Sequence, residues 1–239
     1  MITSKDTICF LGDSITDGIG TTKRYIEYIA EATGAKTYGF GVNGAKSSDL
    51  FAQLERLDET VGNNFDILFI LIGTNDYNCG IPLGEFFTEH SERVPLDSDE
   101  NGNFGNYVLR RKREFVFDEN TFKGRLNNFF YAVKRKYFDK RVILATPLHR
   151  AYAYFGGDNI QQSELYANVI GEYFESYVDA VRKAADIWSV ELIDLYRESG
   201  LFPLIDESAK KYYQSDVWDR LHPNANGHER IAQVILRRA

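Results

Sequence analysis

The sequence is poor in the residues that mark secreted, membrane-spanning and nucleic-acid-binding proteins. Two cysteines among 239 residues are too few for a disulfide framework. No run of 18 apolar residues occurs, which argues against a transmembrane helix. Lysine and arginine number 28 against 35 aspartates and glutamates, giving a net charge of −7. Because phosphate binding needs a basic surface, this balance disfavours nucleic acid as the main partner.

The residues before the first apolar segment, 2–6, are polar and few, unlike a signal peptide. We therefore expect a cytoplasmic protein, or a secreted one if a leader has been removed, with Cys9 as a buried thiol. The chain has 44% hydrophobic and 26% charged residues, so it can form a sizeable core. A disordered or fibrous chain is excluded, and we expect one domain over residues 1–239.

Five short apolar segments alternate with segments of helical spacing. The predicted strands are 7–11, 36–40, 66–72, 141–145 and 190–193. The predicted helices are 23–33, one capped by Ser47 or Ser48, one capped by Asp118, one from Ser163 to about Ser189, and one opened by Asn224 or Asn226. This alternation predicts a parallel sheet with helices on both faces, a three-layer α/β/α domain.

One connection, about 77–117, is too long for an ordinary loop after a strand. Its middle is polar and turn-like, and the apolar residues on either side favour a hairpin. The phenylalanines and other apolar residues here (Phe86, Phe87, Phe104, Tyr107 and Val108) are expected to be buried. We expect the segment to cover or border a ligand pocket, or to dock on a second subunit, so self-association into a homo-oligomer stays open.

Four polar motifs follow predicted strands or precede the last helix. They are Gly12-Asp13-Ser14, Gly41-Val42-Asn43-Gly44, Gly73-Thr74-Asn75-Asp76 and Asp219-Arg220-Leu221-His222-Pro223. Each alone is explained as readily by a helix cap, a turn or a loop ion pair. Together they point to one edge of the sheet, and they supply a nucleophile, a base, an orienting carboxylate and hydrogen-bond donors.

On these four motifs the chain resembles the SGNH hydrolases of the GDSL esterase/lipase superfamily, over nearly its whole length. The resemblance implies a flavodoxin-like five-stranded sheet, interrupted here by the long insertion after the third strand. It implies that Ser14 is the nucleophile, His222 the base and Asp219 the residue that orients it. The oxyanion donors are then the Ser14 and Gly44 amides and the Asn75 side chain. No metal or cofactor is implied.

Other residues are weaker candidates for substrate binding: Asp13, His149 and Trp218. For His149 the competing interpretation is a loop histidine with its own local partner. Aromatic residues in the long loops (Tyr152, Tyr154, Phe155, Tyr212, Tyr213 and Trp218) could stack on sugars or form small local cores. His228 is expected on the surface of the last helix.

The favoured function is a serine esterase that removes short acyl groups, O-acetyl above all, from carbohydrate. A small-molecule or oligosaccharide ester is therefore the expected partner. Two alternatives stay open: a lipase or lysophospholipase acting on longer acyl chains, and a non-catalytic carbohydrate-binding module on the same fold.

Overall fold

The computed structural model describes residues 1–239 and contains eleven strands in three sheets. The strands are β1 (Thr7–Gly12), β2 (Lys36–Gly39), β3 (Ile67–Leu71), β4 (Phe87–Pro95), β5 (Tyr107–Phe115), β6 (Arg141–Ala145), β7 (Ala153–Tyr154), β8 (Ile160–Gln161), β9 (Glu191–Ile193), β10 (Tyr213–Ser215) and β11 (Asp219–Pro223). The central sheet has five parallel strands in the order β2-β1-β3-β6-β9.

Nine α-helices accompany these strands. They are α1 (Ser14–Asp17), α2 (Tyr25–Thr33), α3 (Leu50–Thr60), α4 (Thr74–Asn78), α5 (Phe122–Lys136), α6 (Phe174–Trp188), α7 (Leu195–Glu198), α8 (Asp206–Tyr212) and α9 (Ala225–Arg238). A 3₁₀ turn, Ser47–Asp49, leads directly into α3. No helix combines the length and the apolar character that crossing a bilayer requires.

The central sheet is buried on both faces. Every residue of β3 is buried; Leu68 and Ile70 pack with α3, α5 and α6, while Ile67 and Phe69 pack with α2 and α9. A strand covered on both sides must be apolar throughout, which is why this segment shows no alternation. The predicted three-layer α/β/α sandwich with a flavodoxin-like sheet is confirmed.

Two helix starts differ from the prediction because turns come before them. α6 begins at Phe174, not near Ser163, since the Asn168 side chain accepts hydrogen bonds from the backbone N–H groups of Ile170 and Glu172 and holds a turn. α5 begins at Phe122 because the carboxylate of Asp118 bonds the nearby backbone N–H of Asn120 instead of capping the helix.

The long insertion contains the predicted hairpin, in which β4 and β5 pair antiparallel over their full length. Only its base is packed: Phe86 is buried, and the ring of Phe115 lies 4.7 Å from that of Trp188. Phe104, Tyr107 and Val108 are exposed, so the expectation that they are buried is wrong. The hairpin projects from the body, and the Arg93 guanidinium covers the Tyr107 ring instead.

A smaller sheet with the order β10-β11-β7-β8 lies beside the central one. β11 pairs antiparallel with β10 and, through Asp219 and Ala153, with β7. This sheet fixes the position of the Asp219–His222 segment, because β11 has a hydrogen-bonded neighbour on each side.

Candidate active site

Ser14 lies where β1 turns into α1. The Asp13 carboxylate caps α1 by accepting the Ile15 N–H at 3.0 Å, and Ser14 is the first helical residue. The turn is tight: a Cβ on Gly12 would lie 2.2 Å from the Thr16 hydroxyl and 2.6 Å from the Leu71 carbonyl. Glycine is therefore required at position 12, and the sharp turn places Ser14 at the edge of the sheet.

The side chains of Ser14, His222 and Asp219 form a hydrogen-bonded chain. His222 Nε2 lies 2.9 Å from Ser14 Oγ, and His222 Nδ1 lies 3.0 Å from Asp219 Oδ2. The second carboxylate oxygen accepts the backbone N–H groups of Leu221 and His222. All three side chains are largely buried. In this geometry His222 can accept a proton from the hydroxyl while Asp219 fixes the orientation of the ring.

Gly44 and Asn75 face Ser14 from the next two loops. Gly44 has a φ of +76°, and a Cβ added there would meet nothing within 4 Å, so glycine is needed for backbone conformation and not for room. Asn75 Nδ2 donates one hydrogen to the Ala45 carbonyl at 3.0 Å. An amide has two such hydrogens, and no protein group accepts the second.

These residues line a cavity of about 440 Å³. The lining residues are Ser14, Ile19, Asn43, Gly44, Asn75, Phe155, Asn159, Gln161, Leu221 and His222. Three of the ten are apolar, and four carry carboxamide side chains. Phe155 covers His222, with 5.5 Å between the ring centroids. The wall is therefore mostly uncharged and polar, with donors and acceptors close to Ser14.

The three weaker sequence candidates do not line this cavity. Asp13 is a buried helix cap, and burial raises its carboxyl pKa to about 6. His149 pairs with Glu164 at 2.6 Å and stacks on Tyr196, so it has its own local partners. Trp218 is half exposed, and its backbone N–H bonds Ser215 Oγ in the turn between β10 and β11.

The long insertion does not border the pocket either, contrary to one of the two expectations for it. None of residues 77–117 lines the cavity. The nearest link is Asn78, at the end of α4, which donates to the Gln161 side chain at 2.6 Å. The base of the hairpin packs on α6, where the Phe115 ring contacts Trp188.

Sequence reasoning missed Ile19, Asn159 and Gln161. The last two lie on the β7–β8 hairpin, whose turn contains Gly156 and Gly157, both with positive φ. That glycine pair was the available signal for a hairpin, but two-residue strands are too short to show alternation. In the chain as a whole, no group of three His, Cys, Asp or Glu side chains is arranged to hold a metal ion.

His228 is also placed differently from the prediction, since it is buried rather than on the surface of α9. Its Nδ1 accepts the Tyr25 N–H at 3.2 Å, and the two rings stack. Burial lowers its pKa to about 4. A signal was present, because His228 lies three residues before Ile231 and seven before Ile235, on the buried face of the helix.

Residues 10–230 match the model of the GDSL-like lipase/acylhydrolase family. The chain belongs to this family. The protein is accordingly an ester hydrolase, and the resemblance inferred from the four motifs is confirmed. No curated protein sequence matches this GDSL hydrolase.

Solved structures similar to this GDSL hydrolase cover nearly its full length. A protein from Lactobacillus plantarum has a TM-score of 0.72 and 22% identity, over 97% of this chain and 95% of the other. An acetylxylan esterase from Geobacillus stearothermophilus has a TM-score of 0.57 and 19% identity, over 99% of this chain and 95% of the other. A lipase/acylhydrolase from Enterococcus faecalis has a TM-score of 0.56 and 18% identity, over 97% of this chain and 94% of the other. At these identities the likeness establishes a shared fold.

Proposed function

We propose that Ser14, His222 and Asp219 are a catalytic triad that cleaves carboxylic esters through an acyl-enzyme. The observation that carries the proposal is the unbroken chain of hydrogen bonds, 2.9 Å from Ser14 Oγ to the imidazole and 3.0 Å from the imidazole to Asp219. A serine hydroxyl is a weak nucleophile until an adjacent base accepts its proton. Asp219 is held by backbone donors, so it presents a fixed oxygen to His222.

In the proposed reaction His222 takes the proton of Ser14 as the hydroxyl oxygen attacks the ester carbonyl. The negative charge that develops on the carbonyl oxygen is stabilised by the backbone N–H groups of Ser14 and Gly44 and by the second Asn75 amide hydrogen. His222 then gives its proton to the departing alcohol. Water, activated by the same imidazole, hydrolyses the acyl-enzyme and restores Ser14.

The proposed substrate is a short-acyl ester, O-acetyl above all, of a carbohydrate. Two features support it: a cavity of about 440 Å³, and a wall in which only Ile19, Phe155 and Leu221 are apolar. A long acyl chain needs a continuous apolar slot. Sugar hydroxyls need fixed donors and acceptors, which the Asn and Gln side chains supply, and an aromatic face such as Phe155 suits a sugar ring. The structurally similar Geobacillus protein is an acetylxylan esterase.

A series of p-nitrophenyl esters from acetate to palmitate tests both parts of the proposal. We expect kcat/KM to be greatest for acetate and to fall steadily with chain length, and acetylated xylo-oligosaccharides to release acetate. A maximum at eight carbons or longer would instead assign a lipase-type specificity. Ser14→Ala is the control: if it retains hydrolysis near the wild-type rate, the triad assignment is wrong.

A further inference from the structure

The proposed oxyanion donors lie on three segments that follow β1, β2 and β3: residues 12–14, 41–46 and 73–76, called the first, second and third loops. One helix, α3 with its preceding 3₁₀ turn, contacts all three. The loop with Gly44 runs directly into this turn at Ser47. Side chains of the same unit reach the loop before Ser14 and the loop with Asn75. The side chains that make these contacts do not line the cavity themselves. Each one bonds a residue that lies close in sequence to Ser14, Gly44 or Asn75, which do line it.

The contact to the first loop is made by Gln53. Its Oε1 accepts the Gly12 N–H at 2.8 Å, and its Nε2 donates to the Gly12 carbonyl at 2.8 Å. The same carbonyl accepts the Val42 N–H at 3.1 Å, so the first and second loops share it. Gln53 is 1% exposed. A buried amide that satisfies both polar groups of one glycine fixes the start of the turn into Ser14.

The contact to the third loop is made by Asp76, the residue after Asn75. This fully buried carboxylate accepts the N–H of Ser47 at 2.9 Å and its hydroxyl at 2.6 Å. Arg125 Nη1 lies 3.3 Å from the same carboxylate and balances its charge. With the bond from Asn75 to Ala45, two hydrogen-bonded links join the Asn75 loop to the chain just beyond Gly44.

We propose that Gln53 and Asp76 are positioning residues that hold the Ser14, Gly44 and Asn75 donors in one rigid geometry. The inference rests on the proposed function, because it assumes that these donors bind the oxyanion. Donors aimed at the transition state must be held before the reaction, since a small misplacement loses much of their effect. The unit formed by α3 and its 3₁₀ turn bonds the first loop through Gln53 and the third loop through Ser47, and it continues the second loop, so it joins all three.

Three near-isosteric variants test the proposal: Ser47→Ala, Asp76→Asn and Gln53→Met. Each is expected to lower kcat for p-nitrophenyl acetate by about 10- to 100-fold, less than the loss of a whole donor, with KM changed by less than about threefold. The pH at which activity is half-maximal should stay in place, because His222 and Asp219 are untouched. The affinity for methylboronic acid, whose adduct with serine is tetrahedral, should fall in parallel with kcat.

Asp194→Asn is the matched control. Asp194 is also a buried carboxylate that caps a helix, accepting the Arg197 N–H and contacting Arg182 and Thr146, but it does not contact α3 or line the cavity. The Asp194→Asn variant should be less stable than wild type and should keep the wild-type kcat when it is assayed well below its unfolding temperature. If the three test variants lose no more kcat than this control, Gln53 and Asp76 serve stability alone and the proposal is wrong.

The two proposals fail in different ways. Hydrolysis near the wild-type rate in Ser14→Ala overturns the triad. An inactive Ser14→Ala beside fully active Asp76→Asn and Gln53→Met keeps the triad and overturns the positioning role. Ser47→Ala guards against misfolding of the other two, because it removes only the hydroxyl bond to the Asp76 carboxylate and leaves Arg125 and the backbone N–H at position 47 in contact with that charge.

Discussion

At the scale of single residues, the protein has two histidines whose Nδ1 lies within 3.0 Å of a carboxylate oxygen. His222 lies between Ser14 and Asp219, whereas His149 pairs with Glu164 and lies against Tyr196. Both histidines have a carboxylate at one ring nitrogen, but only His222 has its other ring nitrogen within hydrogen-bond distance of a serine hydroxyl. Proximity to the hydroxyl, and not the carboxylate partner, distinguishes a base from a structural histidine.

We therefore expect His222→Ala to lower kcat by about 10⁴-fold or more, since nucleophile and base act as a unit. Asp219→Asn should lower kcat by less, because it disturbs only the orientation and tautomer of the His222 ring. His149→Ala is the control and should keep nearly full activity. Steady-state kinetics with p-nitrophenyl acetate check all three, and a larger loss in His149→Ala than in His222→Ala would identify the wrong base.

The buried His228 predicts a pH dependence of stability. Its pKa is about 4 in the folded protein and near 6.5 when unfolded, so the unfolded chain binds the proton first as the pH falls. The stability contributed by the neutral ring is complete above pH 6.5 and is lost between about 6.5 and 4. Full loss amounts to about 3 kcal/mol. The Glu27 carboxylate opposes the shift, while Arg24 and His222 add to it.

Comparison of wild type with His228→Asn isolates this effect. Asp13 titrates in the opposite sense over nearly the same range, because burial raises its pKa to about 6 and its contribution is lost as the pH rises. That contribution is common to both proteins and cancels in the difference. Urea unfolding at pH 7 and pH 4 should show wild type losing about 3 kcal/mol more than the variant. Equal losses would mean that His228 is protonated in the folded state.

At the scale of elements, the β4–β5 hairpin packs on the rest of the protein only at its base. Its register pairs acidic with basic side chains across the strands, for example Glu89 with Arg113 and Glu92 with Arg110, so the strands support each other. Only the base, around Phe86 and Phe115, packs on the body. An element held in this way can be removed with little effect on the central sheet.

Replacement of residues 88–114 by a short Gly/Ser linker should therefore leave kcat/KM unchanged for every ester in the series. The reason is that no residue of the hairpin lines the cavity. A changed acyl preference would mean that the hairpin closes over the site in solution. Size-exclusion chromatography of both proteins checks the remaining expectation, since a fall in mass beyond the deleted residues would identify the hairpin as a contact between subunits.

At the scale of the whole molecule, one sheet separates two hydrophobic cores. β3 contributes to both, with Leu68 on one face and Phe69 on the other. Because the cores share their strands, we expect them to unfold together. That the chain is a single domain over residues 1–239 stays a prediction.

If it is one domain, Leu68→Ala and Phe69→Ala should each lower the free energy of unfolding by about 3 kcal/mol without adding a second transition. Far-UV circular dichroism and tryptophan fluorescence during urea unfolding provide the check. Trp188 lies in α6 and Trp218 in the turn of the smaller sheet, so the fluorescence samples two distant regions. Transitions that do not coincide would divide the chain into separately unfolding units.

The sequence by itself determined the layered fold, and it led to the main residues of the proposed site. Strands buried on both faces must be continuously apolar, and the motifs after them are short and local, so both are visible along the chain. Asp219 and His222 are three residues apart, so this part of the proposed site lies within one motif.

Only the tertiary structure decided which side chains meet across the fold. The Ser14–His222 contact joins residues 208 positions apart, and Gln53 reaches Gly12 across 41. The β7–β8 hairpin that supplies Asn159 and Gln161 consists of two-residue strands, too short for a hydrophobic period. Local pattern records which face of an element is buried, but the partner across that face depends on how distant elements pack, and no single segment carries that information.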